Sequence, residues 1–451
     1  MQQMDDMQLP EDFIIRTKAL LGDEWEAFEY ALREESPVSI RTNPRKPAAI
    51  ACPEAIAWAS DAYYLPERPL FTLDPLFHAG AYYVQEASSM YLEQIVKNRF
   101  SSPVKALDLC AAPGGKSTHL LSLLPDDSLL VANEVISSRS KILAENLIKW
   151  GNSNVIVTNN DPKAIGSLSG CFDLILADVP CSGEGMFRKD PAAIGEWSVN
   201  NVRLCAERQR RIVGDVWPSL KPGGVLVYST CTYNREENEE NIAWVCEELG
   251  AEMLTDPHRF FPHKTKGEGF FIAALQKNET SQKPKAESRK SDRRSSTKQL
   301  SLPSAFNYVR RWLKDDDAFY FSLDSNRIIA FPKSCMDSYR LIANRLKLVS
   351  AGICLGEIKG KDLIPDHSLA MSVALNDSAF PRCEVDKQTA LHYLHKETLL
   401  DLPDDLPKGY LLLTHQNLPL GFIKNIGNRI NNLYPSEWRI RMNIKLINSH
   451  E

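Results

Sequence analysis

From about residue 103 the chain alternates short apolar runs with amphipathic stretches. "KALDLC" (105–110), "SLLVANE" (128–134), "NVIVTNND" (154–161), "DLILADV" (173–179) and "GGVLVYSTC" (223–231) are rich in β-branched or leucine residues and have strand length. Between them lie "KSTHLLSLL" and "SSRSKILAENLIKWG", whose apolar positions recur at helical spacing, the second with Gly151 as its stop. Strands that are apolar on both sides, separated by helices, predict a parallel sheet covered on two faces, an α/β fold of the doubly wound kind. "GFFIAAL" (269–275) reads as a last strand. Upstream, "EDFIIRTKALLGDEWEAFEYALRE" predicts a helical start. Downstream the rhythm is lost: 300–451 reads as α+β material dividing near 375, with short strands at "GYLLLTH" and "PLGFIKNI".

Length and charge refine this. A chain of 451 residues exceeds what one core organises. The expected units are 1–75, 76–276, a linker at 277–299, 300–375 and 376–451. The linker follows from composition, because 277–298 holds eight Lys or Arg against three Asp or Glu and almost nothing apolar. With a net charge of −5 there is no global basic signature, so any nucleic-acid contact rests on local patches. Two are candidates. Arg41, Arg45 and Lys46 in "SIRTNPRK" read as a solvated surface before they read as an RNA contact. Arg429, Arg439 and Arg441 interleave with Tyr434 and Trp438, which suits RNA backbone contact and base stacking, or equally half-buried aromatics in a small β-barrel. An acidic, polar start predicts no signal peptide, and no apolar run has membrane-spanning length. Ten cysteines without a CxxC pair argue against a zinc site and a disulfide framework, and point to a reducing cytoplasm.

The loop "DLCAAPGGKST" offers two chemistries. Gly114-Gly115-Lys116-Ser117 resembles a phosphate-binding loop, but Cys110 stands where that motif requires glycine. The competing reading is a Rossmann-type nucleoside site, with the small turn allowing close approach. Glu134 then closes the second strand and suits ribose hydroxyls, Asp161 follows the third and suits an adenine amino group, and Asp178 closes the fourth. Such acids repel a polyphosphate and favour a sulfonium nucleoside, S-adenosylmethionine.

Two cysteines, Cys181 and Cys231, end neighbouring apolar runs. Carbon 5 of cytosine is a weak nucleophile, and a thiolate adding to carbon 6 makes it reactive. Cys231 fits that role, since Asn234 and Glu237 have capping-box spacing for a helix start that would depress its pKa. The glutamates of that helix read as a solvated face. Cys181 suits release of the product, and Asp178 suits a hydrogen bond to ring nitrogen 3. Cys110, Cys171, Cys205 and Cys246 read as inert core thiols.

"DLCAAPGGKSTHL", "ADVPCSGEGMFRKDP" and "YSTCTYNREENEENIAWV" closely resemble the RNA cytosine-5 methyltransferases of the NOP–NOL–Sun family, as do "YYVQEASSMY" and "GEGFFIAAL". The resemblance implies a Rossmann-like methyltransferase domain with S-adenosylmethionine held by Cys110, Ala111, Ala112, Pro113, Gly114, Gly115, Lys116, Glu134, Arg139, Asp161 and Asp178. It implies Cys231 as nucleophile and Cys181 as the releasing cysteine, with Lys189 at a further matched position. "RTNPRK" looks like the family's N-terminal RNA-binding segment. "GICLGEIKGKDLIPDHSLAM" and "LPLGFIKNIGNRINNLYPSEWRIR" look like the bacterial RsmF-type branch, which ends in a PUA-like RNA-binding domain. That branch implies 16S rRNA or the small ribosomal subunit as partner; a monomer is the default expectation, with neither DNA nor membrane as partner. Glu134 stands where many members carry Asp, and Val179 where many carry Ala. Methylation of tRNA, a non-catalytic assembly factor, and a DNA-type enzyme using Cys181 as nucleophile are the alternatives.

Overall fold

A computed structural model describes residues 8–51, 54–279, 304–399, 402–403 and 405–442. The predicted first helix is two, Glu11–Leu21 and Trp25–Ala31, because Gly22 turns the backbone at φ 58°. Strands β1 (Val38–Thr42), β2 (Glu54–Ala55), β3 (Ala62–Leu65) and β4 (Tyr82–Val84) form an antiparallel sheet in the order β2-β3-β1-β4. Residues 82–84 thus belong to this first sheet, although the sequence put them beyond a boundary at 75. The solvated reading of Arg41 and Lys46 is corrected: both are buried, at 1% and 6% exposure. Lys46 Nζ donates to the carbonyls of Ala79 and Lys149, and only Arg45 stays at the surface, paired with Asp126.

The central sheet comprises β5 (Lys105–Asp108), β6 (Leu129–Asn133), β7 (Val155–Thr158), β8 (Phe172–Asp178), β9 (Leu220–Thr230), β10 (Ala251–Met253), β11 (His258–Phe260) and β12 (Phe270–Lys277). Its parallel core runs β9-β8-β5-β6-β7, with β12 and β10 added antiparallel beyond β9. Period-two alternation explains the two faces. Leu107, Val131, Ile156 and Ile175 join Ile212, Val213 and Val216 of the helix Val199–Val216 in one core. Ala106, Leu130, Val157, Leu174 and Leu176 join Leu120, Leu143 and Leu147 in the other. Each such large aliphatic side chain contributes about 1.5–3 kcal/mol by leaving water. Strand order reverses between β5 and β8, and a crevice at such a switch point, outside the carboxyl ends of the strands, is where this architecture binds ligands.

The C-terminal part contains β13 (Phe319–Asp324), β14 (Arg327–Pro332), β15 (Leu348–Ala351), β16 (Ile353–Lys359) and β17 (Asp362–Pro365). It is not wholly separate from the central sheet: β15 pairs antiparallel with β7 and becomes its far edge. The order β13-β14-β16-β17 makes a third sheet. A fourth follows from β18 (Arg382–Glu384), β19 (Gly409–His415), β20 (Leu418–Asn425) and β21 (Ile430–Asn432). Leu412 and Phe422 of the fourth sheet share a core with Ile328, Ala330 and Leu355 of the third. Tyr434 is core at 1% exposure and Trp438 packs beside it, while Arg429, Arg439 and Arg441 are exposed. Trp438 is thus half-buried as one reading had it, while Tyr434 is buried outright. Lys277 closes β12 rather than opening a linker, and 280–303 lie outside the described residues. Among the described residues no helix is long and apolar enough to cross a membrane.

Candidate active site

Parallel pairing sets Asp178, the last residue of β8, opposite Ser229 near the end of β9. Cys181 lies three residues past the one and Cys231 two past the other, so both loops emerge side by side at one sheet edge. Their sulfurs are 3.2 Å apart. Ser229 Oγ and Lys116 Nζ donate to the two oxygens of Asp178, at 2.7 and 2.8 Å. The Cys181 thiol is held well above its ordinary range, first by its bond to Cys231, then by burial and by the charges of Cys231 and Glu237. Either sulfur can donate in that contact.

Beneath the sulfurs lie two buried glutamates that the sequence reading missed. Glu184, in the Cys181 loop, accepts from Thr232 Oγ1 and from the backbone N–H groups of Tyr233 and Asn234, all in the Cys231 loop, and from Trp197 Nε1. Glu237, in the Cys231 loop, accepts from Ser182 N–H in the other loop, and from Gln209 Nε2 and Asn234 Nδ2. Glu237 was expected on a solvated face; it is fully buried because these donors replace water. Asn234 and Glu237 make one half of the capping box, with Glu237 N–H donating to Asn234 Oδ1, while Asn234 N–H goes to Glu184 instead, and the pair closes a turn. The helix itself begins only at Glu239. The nearby cation is Lys116, whose ammonium burial would weaken; Asp178 first, then Asp108 and Cys231, outweigh that and raise it.

The loop 110–116 runs from β5 to the helix Gly115–Leu123, entered through Gly114 at φ 117°, a left-handed conformation suited to glycine. Its carbonyls are tied by side chains from outside: Ala112 O by Arg139, Pro113 O by Asn146 and Gly115 O by Arg41. Arg41 also donates to Gln85 Oε1 and Thr118 Oγ1 and lies 4.6 Å from the Trp150 ring centroid. The residue expected near RNA is instead a brace for this loop. Glu134 is buried, accepts from Ile136 N–H and pairs with Arg139 at 3.6 Å. Asp161 is exposed and caps the helix Pro162–Gly166 through Lys163 N–H.

Asp108 is a further acid of this group, absent from the sequence-based set. Its Oδ2 accepts from Ser117 Oγ, while Oδ1 is buried without a partner. Burial raises its pKa to about 7; Ser117 and Lys116 oppose that, and the charges of Asp178 and Glu134 add to it. The same three acids push up the Cys110 thiol, after burial, and so surround it with negative charge. An orphaned carboxylate oxygen among neighbouring acids fits a cationic nucleoside and opposes a polyphosphate. Lys116, bonded to Asp178, is likewise not disposed as a phosphate-loop lysine. Lys189 is exposed, and its loop lines a cleft of about 950 Å3 with Arg68, Lys264 and Lys266. Among the described residues no His, Cys, Asp and Glu group could hold a metal.

A doubly wound sheet with acids at its switch point defines the class: a Rossmann-type methyltransferase that uses S-adenosylmethionine. Comparison with known proteins narrows it. A profile described as 16S rRNA methyltransferase RsmB/F matches residues 101–276. Profiles for the RsmF N-terminal domain and the RsmF PUA domain match 9–87 and 380–440. Ribosomal RNA small subunit methyltransferase F of Pectobacterium atrosepticum is 31% identical over 418 residues, covering 85% of this chain and 84% of that one. The protein of the same name from Aliivibrio salmonicida is 32% identical over 393 residues, covering 80% and 79%. The chain belongs to the RsmF family of methyltransferases. Among solved structures, a methyltransferase homolog from Pyrococcus horikoshii superposes with a TM-score of 0.53 at 28% identity, over 61% of this chain and 98% of that one.

Proposed function

We propose that the protein methylates carbon 5 of a cytosine in 16S rRNA through a transient covalent bond to Cys231. The observation that carries this reading is the pair of sulfurs 3.2 Å apart beside Asp178. A lone buried thiol is ordinarily inert core; two meeting at the ends of adjacent strands beside a carboxylate form a reacting constellation. In the proposed sequence, Cys231 thiolate forms a bond to carbon 6, and the displaced electron pair settles on ring nitrogen 3, which takes a proton through Asp178. S-adenosylmethionine, when bound, supplies the electrophilic methyl group for carbon 5. Release requires the carbon 5 proton to leave, the C5=C6 bond to re-form, the carbon–sulfur bond to break and the nitrogen 3 proton to return through Asp178. Cys181 gives its own proton to the departing sulfur and receives the one from carbon 5, so the relay balances.

The loop 110–116 and Arg139 border the cofactor site in this reading. Glu134 accepts the ribose hydroxyls and Asp161 the adenine amino group. Arg429, Arg439 and Arg441 offer charge to RNA phosphates from the PUA-like end, with Lys189 and its cleft nearer the thiols. Denaturing electrophoresis of enzyme mixed with RNA and S-adenosylmethionine tests the assignment. Cys181→Ala is expected to accumulate a denaturation-resistant RNA adduct, and Cys231→Ala to lose both adduct and methylation. The reverse pattern makes Cys181 the nucleophile and overturns the reading.

A further inference from the structure

We infer that Glu184 and Glu237 are positioning residues, forming a reciprocal clasp that sets the geometry of the two thiols. The inference rests on the cysteine chemistry proposed above. Its basis is the crossing of the bonds. Glu184 belongs to the loop of Cys181 but holds the backbone N–H groups of Tyr233 and Asn234, just past Cys231. Glu237 belongs to the loop of Cys231 but holds the backbone N–H of Ser182, just past Cys181. A side-chain bond between Ser182 Oγ and Thr232 Oγ1 at 3.0 Å lies between them, and Gly185 N–H donates to Cys231 O at 2.9 Å.

Both carboxylates are inaccessible to water, at 2% and 0% exposure, and among the described residues neither is matched by a salt bridge. Buried carboxylates held only by hydrogen bonds are costly unless their acceptor sites are filled, and here backbone and side-chain donors together fill them. Backbone N–H groups move with the loop that carries them, so a carboxylate that grips them fixes the loop rather than one side chain. The clasp thereby converts two independent turns into one unit, and the distance between the sulfurs is a property of that unit. Glu237 also adds to the Cys231 contact and the burial that push up the Cys181 thiol.

Full-length Glu237→Gln and Glu184→Gln enzymes test this, assayed with 16S rRNA for kcat, both KM values and adduct yield. The expected result is a fall in kcat of about 10²-fold, the loss typical of a misplacement near 1 Å, with KM for S-adenosylmethionine unchanged. The alkaline limb of the kcat–pH profile moves down in Glu237→Gln, because Cys181 loses a neighbouring negative charge. Glu237→Asp, which keeps the charge on a shorter arm, is expected to lower kcat without moving that limb, and it stands in if the glutamine variant fails to fold. Folded variants with kcat within twofold of the parent overturn the clasp, as does a loss confined to KM for S-adenosylmethionine. Cys231→Ala in the same assay separates the two ideas: if it is inactive while the glutamate variants are normal, only the clasp falls, and if it is active, the covalent reading itself falls.

Discussion

Two sets of acids stand at the same sheet edge and differ in what their oxygens touch. On the proposed cofactor side, Asp108 has one oxygen without a partner, Asp161 uses one oxygen to cap a helix, and Glu134 accepts from one backbone N–H and meets Arg139 at 3.6 Å. On the thiol side, Glu184 and Glu237 are fully engaged by loop N–H groups, an indole, a hydroxyl and side-chain amides. Carboxylates with spare acceptor capacity attract a cation; saturated ones fix the chain that bonds them. Charge alone does not distinguish a binding acid from a structural one. The donors within reach do.

Asp178 is the hinge of this comparison, since it belongs by position to the cofactor side and by its neighbours to the thiols. Its replacement gives the largest effect expected. Asp178→Asn should lower kcat on the order of 10²–10⁴-fold, the range for a lost proton-handling group, while changing S-adenosylmethionine affinity much less. Single-turnover rates and calorimetric titration measure the two. An equal loss in both would place Asp178 with the cofactor acids alone.

Next in size is a reversal of sign between stability and binding at Asp108. Its folded pKa of about 7 lies above the usual carboxylate range, so the folded state holds its proton longer than the unfolded chain. Stability from this group is present below the unfolded value and is lost as pH rises toward about 7. Asp108→Asn should therefore melt higher than the parent at pH 8 and show no such difference at pH 4. Its affinity for the sulfonium cofactor should fall about tenfold at pH 8, the equivalent of one pKa unit. S-adenosylhomocysteine, whose sulfur is neutral, should be affected less. Melting curves and titrations at the two pH values check both signs.

The pattern of the sheet was legible because it is local: strands buried on both faces announce themselves by composition. Glu134, Asp161 and Asp178 could be picked out by the same rule, an acid past the carboxyl end of a strand. Asp108 obeys that rule too, but "KALDLC" was taken to extend to Cys110, which hid an acid that in fact ends the strand. Glu184 had no local signal, because its donors are Trp197 and the loop of Cys231; the spacing of Glu237 with Asn234 showed only a turn, since its other donors lie in the Cys181 loop and on the helix Val199–Val216. Arg41 and Lys46 were misjudged for the same reason: the carbonyls that bury them, Gly115 O, Ala79 O and Lys149 O, come from distant parts of the chain. The edge strand β15 pairs with β7 across some 190 positions, which no local pattern encodes.

Arg41 permits a sharper comparison, because it acts on the cofactor side without carrying an acid. Arg41→Lys keeps the charge but loses the planar fork that reaches Gly115 O, Thr118 Oγ1 and Gln85 Oε1 together. Affinity for S-adenosylmethionine should weaken several-fold, with the adduct yield at saturating cofactor unchanged. A lower adduct yield at saturation would show that the loop and the thiols are one unit.

The smallest effect is expected at Asp161, and it tests whether spare acceptor capacity matters at an exposed position. Asp161→Asn keeps a cap for Lys163 N–H through its amide oxygen, so the helix Pro162–Gly166 should persist. What it loses is charge in water, where screening leaves little to lose, and an acceptor oxygen that an amino group would use. Affinity should fall about twofold to fivefold, within the roughly 0.5–1 kcal/mol of one ordinary hydrogen bond. The inosine analogue of the cofactor, which has no amino group, should show no difference between parent and variant. If the variant discriminates against both nucleosides equally, Asp161 serves the turn and not the base, and it moves to the structural side of the comparison.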